Sequence, residues 1–523
     1  MKKLLTIKRS LISVSDKKNI SRLAKKLLDN NVEIITTGNT YKKLKQDKLK
    51  TKKIEKITNF PEILSGRVKT LHPNIFGGIL ANMNDDLHKK QIKKLNIEKI
   101  QLLVVNLYPF EEVIKKNNSI ETCIENIDVG GPSLIRAAAK NYQSTAVVVD
   151  IYDYKKIIYD IEKYNGITLE LRKYLAVKAF NRTMHYDKEI YNWFETHLGD
   201  KRKDTFFLFG EKIEDLRYGE NPHQKAAIYK VNNNKEENFY EKLNGKDLSF
   251  NNLNDLRAAL GLINEFTDPT SVIIKHAIPC GVCESKDILQ AWKKALNSDK
   301  LSAFGGVVAF NRIVDTKLAL QLSKIFLEVI AAPGFSKGAL KLFKEKSNLR
   351  IVKVKKMKNL HKNKPKQIIT MPGVFLIQDG DASIVSKKNL KIVSEKKPND
   401  RELDDLLFAN KVVKHVRSNA IVLAKNKVTL GIGSGNTSRV DSVNFAIIKS
   451  KRSELLNKKN ILNGSVMASD AFFPFSDSIS IASKEGVKSI IQPGGSVKDK
   501  LVIDEVNKKK MSMIFTNLRT FVH

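Results

Sequence analysis

Lys275 and His276 stand together directly after the apolar run Ser271–Ile274. An imidazole exchanges protons near neutral pH, and an ammonium beside it stabilises negative charge as it develops, so the pair suits acid–base chemistry at a strand end. A histidine packed for structural reasons is the plain alternative. Arg67-Val68-Lys69-Thr70-Leu71-His72-Pro73 gathers cations, a hydroxyl and an imidazole ahead of Gly77-Gly78. Arg67 and Lys69 can hold or protonate an anion, although an exposed basic turn has the same composition. Asp128-Val129-Gly130-Gly131-Pro132 leads into a helical stretch carrying Arg136 and Lys140. Glycines let the backbone approach a ligand closely, and a carboxylate near a lysine keeps that lysine charged as a proton donor. Spacing alone leaves open whether Asp128 and Lys140 meet.

Other segments suit binding. Thr36-Thr37-Gly38-Asn39-Thr40 ends an apolar run and opens a helical one, where backbone N–H groups and hydroxyls can hold phosphate; an ordinary strand-to-helix turn looks the same. Asn106-Leu107-Tyr108-Pro109-Phe110 follows the carboxyl end of a predicted strand, where open α/β sheets carry ligand loops; its alternative is an aromatic plug for the core. Leu216-Arg217-Tyr218-Gly219-Glu220-Asn221-Pro222-His223-Gln224 shows neither helical nor strand periodicity, which is costly unless the loop binds something or caps an interface. Ser469–Asp477 sets Phe472, Phe473 and Phe475 between aspartates, fitting a flat aromatic ligand with a polar edge. Gln492-Pro493-Gly494-Gly495-Ser496 is a further glycine turn, and Arg519 near the carboxyl terminus is available to an anion. The run Gly431–Arg439 lacks the third glycine of a dinucleotide loop. Pro279-Cys280-Gly281-Val282-Cys283 is half of the zinc deaminase signature, but none of the nine histidines begins His-x-Glu. A redox reading of the cysteine pair stays open.

The elements that position these residues read as alternating strands and helices. Val32–Ile35, Leu102–Val105 and Ala146–Val149 are short, apolar and β-branched, as is Ser-Leu-Ile-Ser-Val ahead of Asp16, a candidate cap for the helix carrying Ile20, Leu23 and Leu27. The alternation predicts a parallel α/β sheet. After a break between about 198 and 216, strands are predicted at Ser271–Ile274, Val307–Phe310, Ala420–Ala424 and Ser489–Ile491, with a helix over 401–416, so a second α/β unit follows. The 523 residues exceed one ordinary core, and domains of 1–200 and 201–523 are expected. Residues 341–366, dense in lysine, read as a solvated excursion. No short tandem repeat is visible.

Composition limits the function classes. The formal charge of +36 invites a nucleic-acid reading, but lysines are spread over nearly every polar stretch without clustering, so compositional bias and attraction of anionic substrates fit better. Lys8 and Arg9 interrupt the amino-terminal apolar stretch, no run is long enough to cross a bilayer, and three cysteines make no disulfide framework. A cytoplasmic protein, without membrane or nucleic-acid partners, is expected.

In this order and at this approximate spacing, the segments together resemble the bifunctional AICAR transformylase and IMP cyclohydrolase family, from Ser13 to His523. The resemblance implies a methylglyoxal-synthase-like amino-terminal domain that closes formyl-AICAR to IMP. It also implies a carboxyl-terminal domain of duplicated cytidine-deaminase-like units, without catalytic metal, that moves a formyl group from 10-formyltetrahydrofolate to AICAR. By the same resemblance, Lys140 transfers a proton beside Lys69, Tyr108 and Asp128. The cyclohydrolase nucleotide falls to Ser15, Asp16, Lys17, Thr37, Gly38, Asn39, Thr40, Arg67, Val68, Thr70, Asn106 and Val129. In the transformylase, His276 accepts the amine proton with help from Lys275 and Asn419, and Arg217, Tyr218, Gly305, Glu328 and Arg519 match AICAR positions. Arg439, Val440, Phe472, Asp477, Ser496 and Val497 match the folate side. Family members form intertwined dimers, so a homodimer is implied. Asn39, Ile278 and Asn436-Thr437 depart from the family's usual residues.

Overall fold

The computed structural model describes residues 4–116, 119–197, 199, 205–231, 239–355, 366–452 and 461–523. The chain divides into units of residues 1–207 and 208–523, and part of the predicted break, 200–204, lies outside the described residues.

Strands β1 (Arg9–Val14), β2 (Glu33–Thr36), β3 (Lys52–Lys53), β4 (Leu102–Asn106) and β5 (Ala146–Val148) form the amino-terminal sheet in the order β3-β2-β1-β4-β5. Every pairing is parallel. Leu11, Ile35, Leu103, Val105 and Val147 face one apolar cluster, while Ile12, Ile34, Leu102, Val104 and Val148 face another. Burial on both faces is why these strands read as unbroken apolar runs. Because all run the same way, Val14, Thr36 and Asn106 end on one edge. The first helix starts at Ile20 with Asn19 at its cap, so Asp16 is not the cap; its carboxylate accepts Lys18 N–H at 2.9 Å instead. Ser15 and Asp16 are drawn sideways onto Asn106, which delays the helix.

In the second unit, β6 (Gly210–Leu216) and β7 (Ala226–Val231) form a separate ribbon. The main sheet is built from β8 (Tyr240–Asn244), β9 (Thr270–Lys275), β10 (Ile278–Glu284), β11 (Val307–Phe310), β12 (Val329–Ala332) and β13 (Arg350–Val354). A second set follows: β16 (Lys391–Ile392), β17 (Ile421–Lys425), β18 (Val428–Gly433), β19 (Val466–Ser469), β20 (Ser489–Gln492) and β21 (Ser512–Phe515). Between them β14 (Gln367–Met371) and β15 (Val374–Gln378) pair, among the described residues, with each other alone. The twelve-stranded order is β16-β21-β20-β19-β17-β18-β10-β9-β11-β12-β13-β8, which reads as two copies of one pattern meeting at β18 and β10. In each copy a hairpin leads and three parallel strands follow. Helices Phe250–Ile263 and Asp400–Val413 share one core across both copies, while the opposite face has a separate cluster for each.

The lysine-rich stretch departs from expectation. Within 341–355 the chain ends a helix, Lys337–Lys344, and forms β13, because Ala339, Phe343, Ile351, Val352 and Val354 are buried between the lysines. Residues 356–365 lie outside the described residues.

Candidate active sites

In the amino-terminal unit, Asn106 at the end of β4 ties the loop after β1 in place. Its Oδ1 accepts the N–H groups of Ser15 (2.5 Å) and Asp16 (3.1 Å), and its Nδ2 donates to Asp16 O at 2.9 Å. Beside it, Thr37 stands just ahead of the helix Gly38–Gln46 without a side-chain bond to it, and Gly38 takes a positive φ of 34°. Thr37 Oγ1 is bonded to Ser13 Oγ at 2.7 Å, and Thr40 Oγ1 accepts Val14 N–H at 3.1 Å. Both threonines are buried, so this turn offers an anion its helix N-terminus and Asn39 more than its hydroxyls.

Asp128 precedes the helix Gly130–Lys140, and its Oδ1 accepts Gly131 N–H at 2.8 Å. Burial raises its carboxyl above the ordinary range, opposed by the Gly131 N–H, the charge of Lys69 and the Gly130 N–H. Lys69 and Asp128 are therefore electrostatic neighbours. Thr70 is buried, and a Cβ on Gly130 would lie 2.9 Å from its Oγ1, so the 67–70 loop packs against this turn. Tyr108 and Val129 are exposed, and Val68 is bridged to Ile63. Arg67 forms an exposed ion pair with Glu125.

Lys140 is not brought to this cluster. It is the last residue of the Gly130 helix, roughly 15 Å along the axis from Gly130 at 1.5 Å per residue, and it is exposed. Near that far end, Lys99 Nζ donates to Ala81 O (2.6 Å) and Ile79 O (3.3 Å), at the end of helix Pro73–Leu80. Burial pushes the Lys99 ammonium down to about 8. His72, read as part of the reactive loop, caps that same helix by accepting Asn74 N–H at 3.2 Å.

In the second unit, Lys275 ends β9, and His276 and Ala277 form the turn to β10. His276 is exposed, and Lys275 Nζ donates to Phe304 O at 2.8 Å. Gly305, with φ 73°, and Glu328 precede β11 and β12 on the same sheet edge. Gly305 N–H donates to Phe326 O at 2.8 Å, and Glu328 is paired with Arg350 at 2.5 Å. Arg217 and Tyr218, stacked at 5.4 Å, follow β6; their loop is tethered to the helix Phe250–Ile263 by Asn251 Nδ2 donating to Glu220 O at 3.1 Å.

The second copy brings its own residues to that edge. Asn419 precedes β17, and its Nδ2 donates to Asn436 O (3.0 Å) and Thr437 O (3.1 Å). Arg439 Nη2 donates to Asn419 Oδ1 at 2.8 Å, while Nη1 bonds Asp470 and Ser469. Arg439 is 6% exposed with its guanidinium committed inside the protein. Through Nη2 it holds Asn419. The tail passes alongside: Thr520 N–H donates to Asp470 O at 3.0 Å, Ser418 N–H donates to Val522 O at 2.9 Å, and Arg519 lies over Phe521 at 4.6 Å. Phe472 is exposed whereas Phe473 is buried; Asp477 opens a helix; Ser496 N–H donates to Asp499; Val497 is exposed and Val440 half-buried.

Cys280 and Cys283 both lie on β10, and burial pushes both thiols up to about 12, which leaves neither a reactive thiolate at neutral pH. Among the described residues no three His, Cys, Asp or Glu side chains group as a metal site would need, and no helix is long and apolar enough to cross a membrane. Asp255 is a residue that motif reading missed: it binds the His276 turn from 21 positions upstream.

A family model described as AICARFT/IMPCHase bienzyme matches residues 138–449, and one described as MGS-like domain matches residues 19–133. A protein named bifunctional purine biosynthesis protein PurH from Caldicellulosiruptor saccharolyticus is 46% identical over 522 residues. Proteins of the same name from Acetivibrio thermocellus and Thermoanaerobacter sp. are 44% and 47% identical, and each alignment covers 99% of this chain and 100% of the relative. The chain therefore belongs to the AICARFT/IMPCHase bienzyme family, whose members formylate AICAR and then cyclise formyl-AICAR in the last two steps of IMP synthesis.

Proposed function

We propose that residues 1–207 carry the cyclohydrolase site and residues 208–523 the transformylase site. The observation that carries this reading is the meeting of Lys275, His276, Gly305 and Glu328 with Asn419 on one edge of the large sheet. For formyl transfer, the AICAR amine attacks the formyl carbon of 10-formyltetrahydrofolate and loses its proton to His276. Lys275 stabilises the charge that develops, and the folate nitrogen leaves with a proton. Arg217, Tyr218, Gly305, Glu328 and Arg519 hold the nucleotide. Val440, Phe472, Asp477, Ser496 and Val497 face the folate, and Arg439 keeps Asn419 in place.

For cyclisation, the carboxamide nitrogen attacks the formyl carbon and the formyl oxygen departs as water. Lys69 supplies the proton beside Asp128 and Tyr108. Ser15, Asp16 and Lys17, the Thr37–Thr40 turn, Arg67, Val68, Thr70, Asn106 and Val129 hold the nucleotide. Neither step calls on a metal. A homodimer fits the β14–β15 ribbon, whose Ile369, Met371, Val374, Phe375 and Leu376 are all exposed in the single chain and call for an apolar cover. A cytoplasmic location suits the three free cysteines.

The test supplies AICAR and 10-formyltetrahydrofolate and follows formyl-AICAR and IMP separately. His276→Ala is expected to lose at least about 100-fold in formylation and to cyclise supplied formyl-AICAR normally; Lys69→Ala is expected to do the reverse. Wild-type formylation by folded His276→Ala overturns the assignment.

A further inference from the structure

The turn that presents His276 has an unusual backbone. His276 and Ala277 both lie in the left-handed region, at φ 54° and 59°. A two-residue hairpin of this kind favours Asn-Gly, and although histidine tolerates the left-handed region better than most residues, alanine does not. Something outside the turn must hold it. Asp255, on the helix Phe250–Ile263, uses both carboxylate oxygens to do so: Oδ2 accepts the N–H of His276 at 3.2 Å and Oδ1 accepts that of Ala277 at 2.6 Å. Because Lys275 is separately anchored to Phe304 O, the turn is held from both sides.

The second copy repeats the device. Asp405, on the helix Asp400–Val413, accepts the N–H groups of Asn426 at 2.8 Å and Lys427 at 2.7 Å, and those residues have φ 52° and 55°. The spacing of 21 positions is the same. The twin presents Asn426 where the first copy presents His276, so the clamp is separable from the chemistry.

We infer that Asp255 is a positioning residue for formyl transfer, fixing the backbone of His276 so that the imidazole stands at the sheet edge beside Lys275. This rests on the reading of His276 as proton acceptor, and Asp405 supplies an internal control for it. Asp255→Asn replaces one acceptor oxygen with a donor, so one of the two N–H groups loses its partner.

The expected result for Asp255→Asn is a transformylase kcat lower by about 10- to 100-fold, the scale of a small misplacement of a reacting group, with KM for both substrates within about threefold. Cyclisation of supplied formyl-AICAR by the same preparation stays at the wild-type rate. Asp405→Asn lowers the melting temperature comparably and leaves transformylase kcat within about twofold. In a His276→Ala background, Asp255→Asn costs nothing further, because the two act as one unit. Wild-type kcat in folded Asp255→Asn, an equal loss in Asp405→Asn, or an additive loss in the double variant overturns the inference. Should Asp255→Asn not accumulate as folded protein, Asp255→Glu carries the test: its acceptors lie one methylene further out, so lowered kcat at unchanged KM supports the inference and wild-type kcat overturns it. The failures are distinguishable. An active His276→Ala removes the underlying reading, whereas an inactive His276→Ala with a fully active Asp255→Asn removes only the positioning role.

Discussion

Asp470→Ala offers a quantitative test of how the transformylase edge is held. The Asp470 side chain is fully buried and Arg439 is 6% exposed at the side chain, so their ion pair sits in the protein interior. Asp470 also accepts Ser418 Oγ–H at 2.6 Å and Ala420 N–H at 3.2 Å. Removing one partner of a buried pair leaves an uncompensated charge, worth about 3–5 kcal/mol, and each neutral hydrogen bond adds about 1 kcal/mol. A loss of about 5 kcal/mol is comparable with the whole stability of many domains. The unfolding midpoint in urea should therefore fall steeply, and formylation should fall with it, because Arg439 Nη2 holds Asn419 only while Nη1 is anchored. Cyclisation, which is proposed for the other unit, should survive in mild conditions. The decisive arm is Arg439→Met with Asp470→Leu: with no charge left stranded, the pair should cost less than either single change. An unshifted midpoint in Asp470→Ala, or a double variant as unstable as the sum of its singles, refutes the reasoning.

Gly131→Ala places a Cβ 2.3 Å from Asp128 Oδ2 and 2.8 Å from Leu107 Cδ2, so the carboxylate must move. Cyclisation is expected to fall about 10- to 100-fold while formylation is unchanged; full cyclohydrolase activity would show that the placement of Asp128 is immaterial. Lys99 gives a pH dependence. Its folded ammonium releases its proton at about 8, below the ordinary 10.5, so between those values the unfolded chain binds a proton that the folded chain has lost. Stability therefore rises with pH across that window and gains nothing from this group below it. Lys99→Met should lack the increment in urea midpoints measured from pH 7 to 10.5, and identical slopes for the two proteins would refute the assignment.

Strands buried on both faces were legible because nothing polar interrupts them. Leu102–Val105 and Val307–Phe310 are examples, and the helix Asp400–Val413 was equally plain. The segment 341–355 was not, since β13 holds only three buried apolar residues, Ile351, Val352 and Val354, set among Arg350, Lys353 and Lys355. Types of candidate residue were visible where the chain turns at a strand end, as with Asn106 and His276. Direction was not. Lys140 closes its helix at the end away from Asp128, and the guanidinium of Arg439, the first residue of its helix, turns inward to Asp470. Asp255 left no local pattern at all, because a carboxylate and the turn it holds are joined only by the packing of a helix across two strands.

The duplication accounts for placing the proposed formyl transfer at one edge and not both. Antiparallel pairing of β10 with β18 places the two hairpin turns at opposite edges, so each turn faces the strand ends of the other copy. At the His276 edge those ends supply Asn419, the buried Arg439–Asp470 pair and the tail around Arg519. At the other edge Asn311 holds the place of Asp470, accepting Thr270 N–H at 2.9 Å as Asp470 accepts that of Ala420. It is neutral. There the turn carries Asn426 instead of a histidine, and Lys427 is consumed by an ion pair with Glu284. Two scaffolds of equal geometry thus differ in whether titratable groups remain available. The proposed site draws on both copies at once, because the turn comes from one and the residues it faces come from the other.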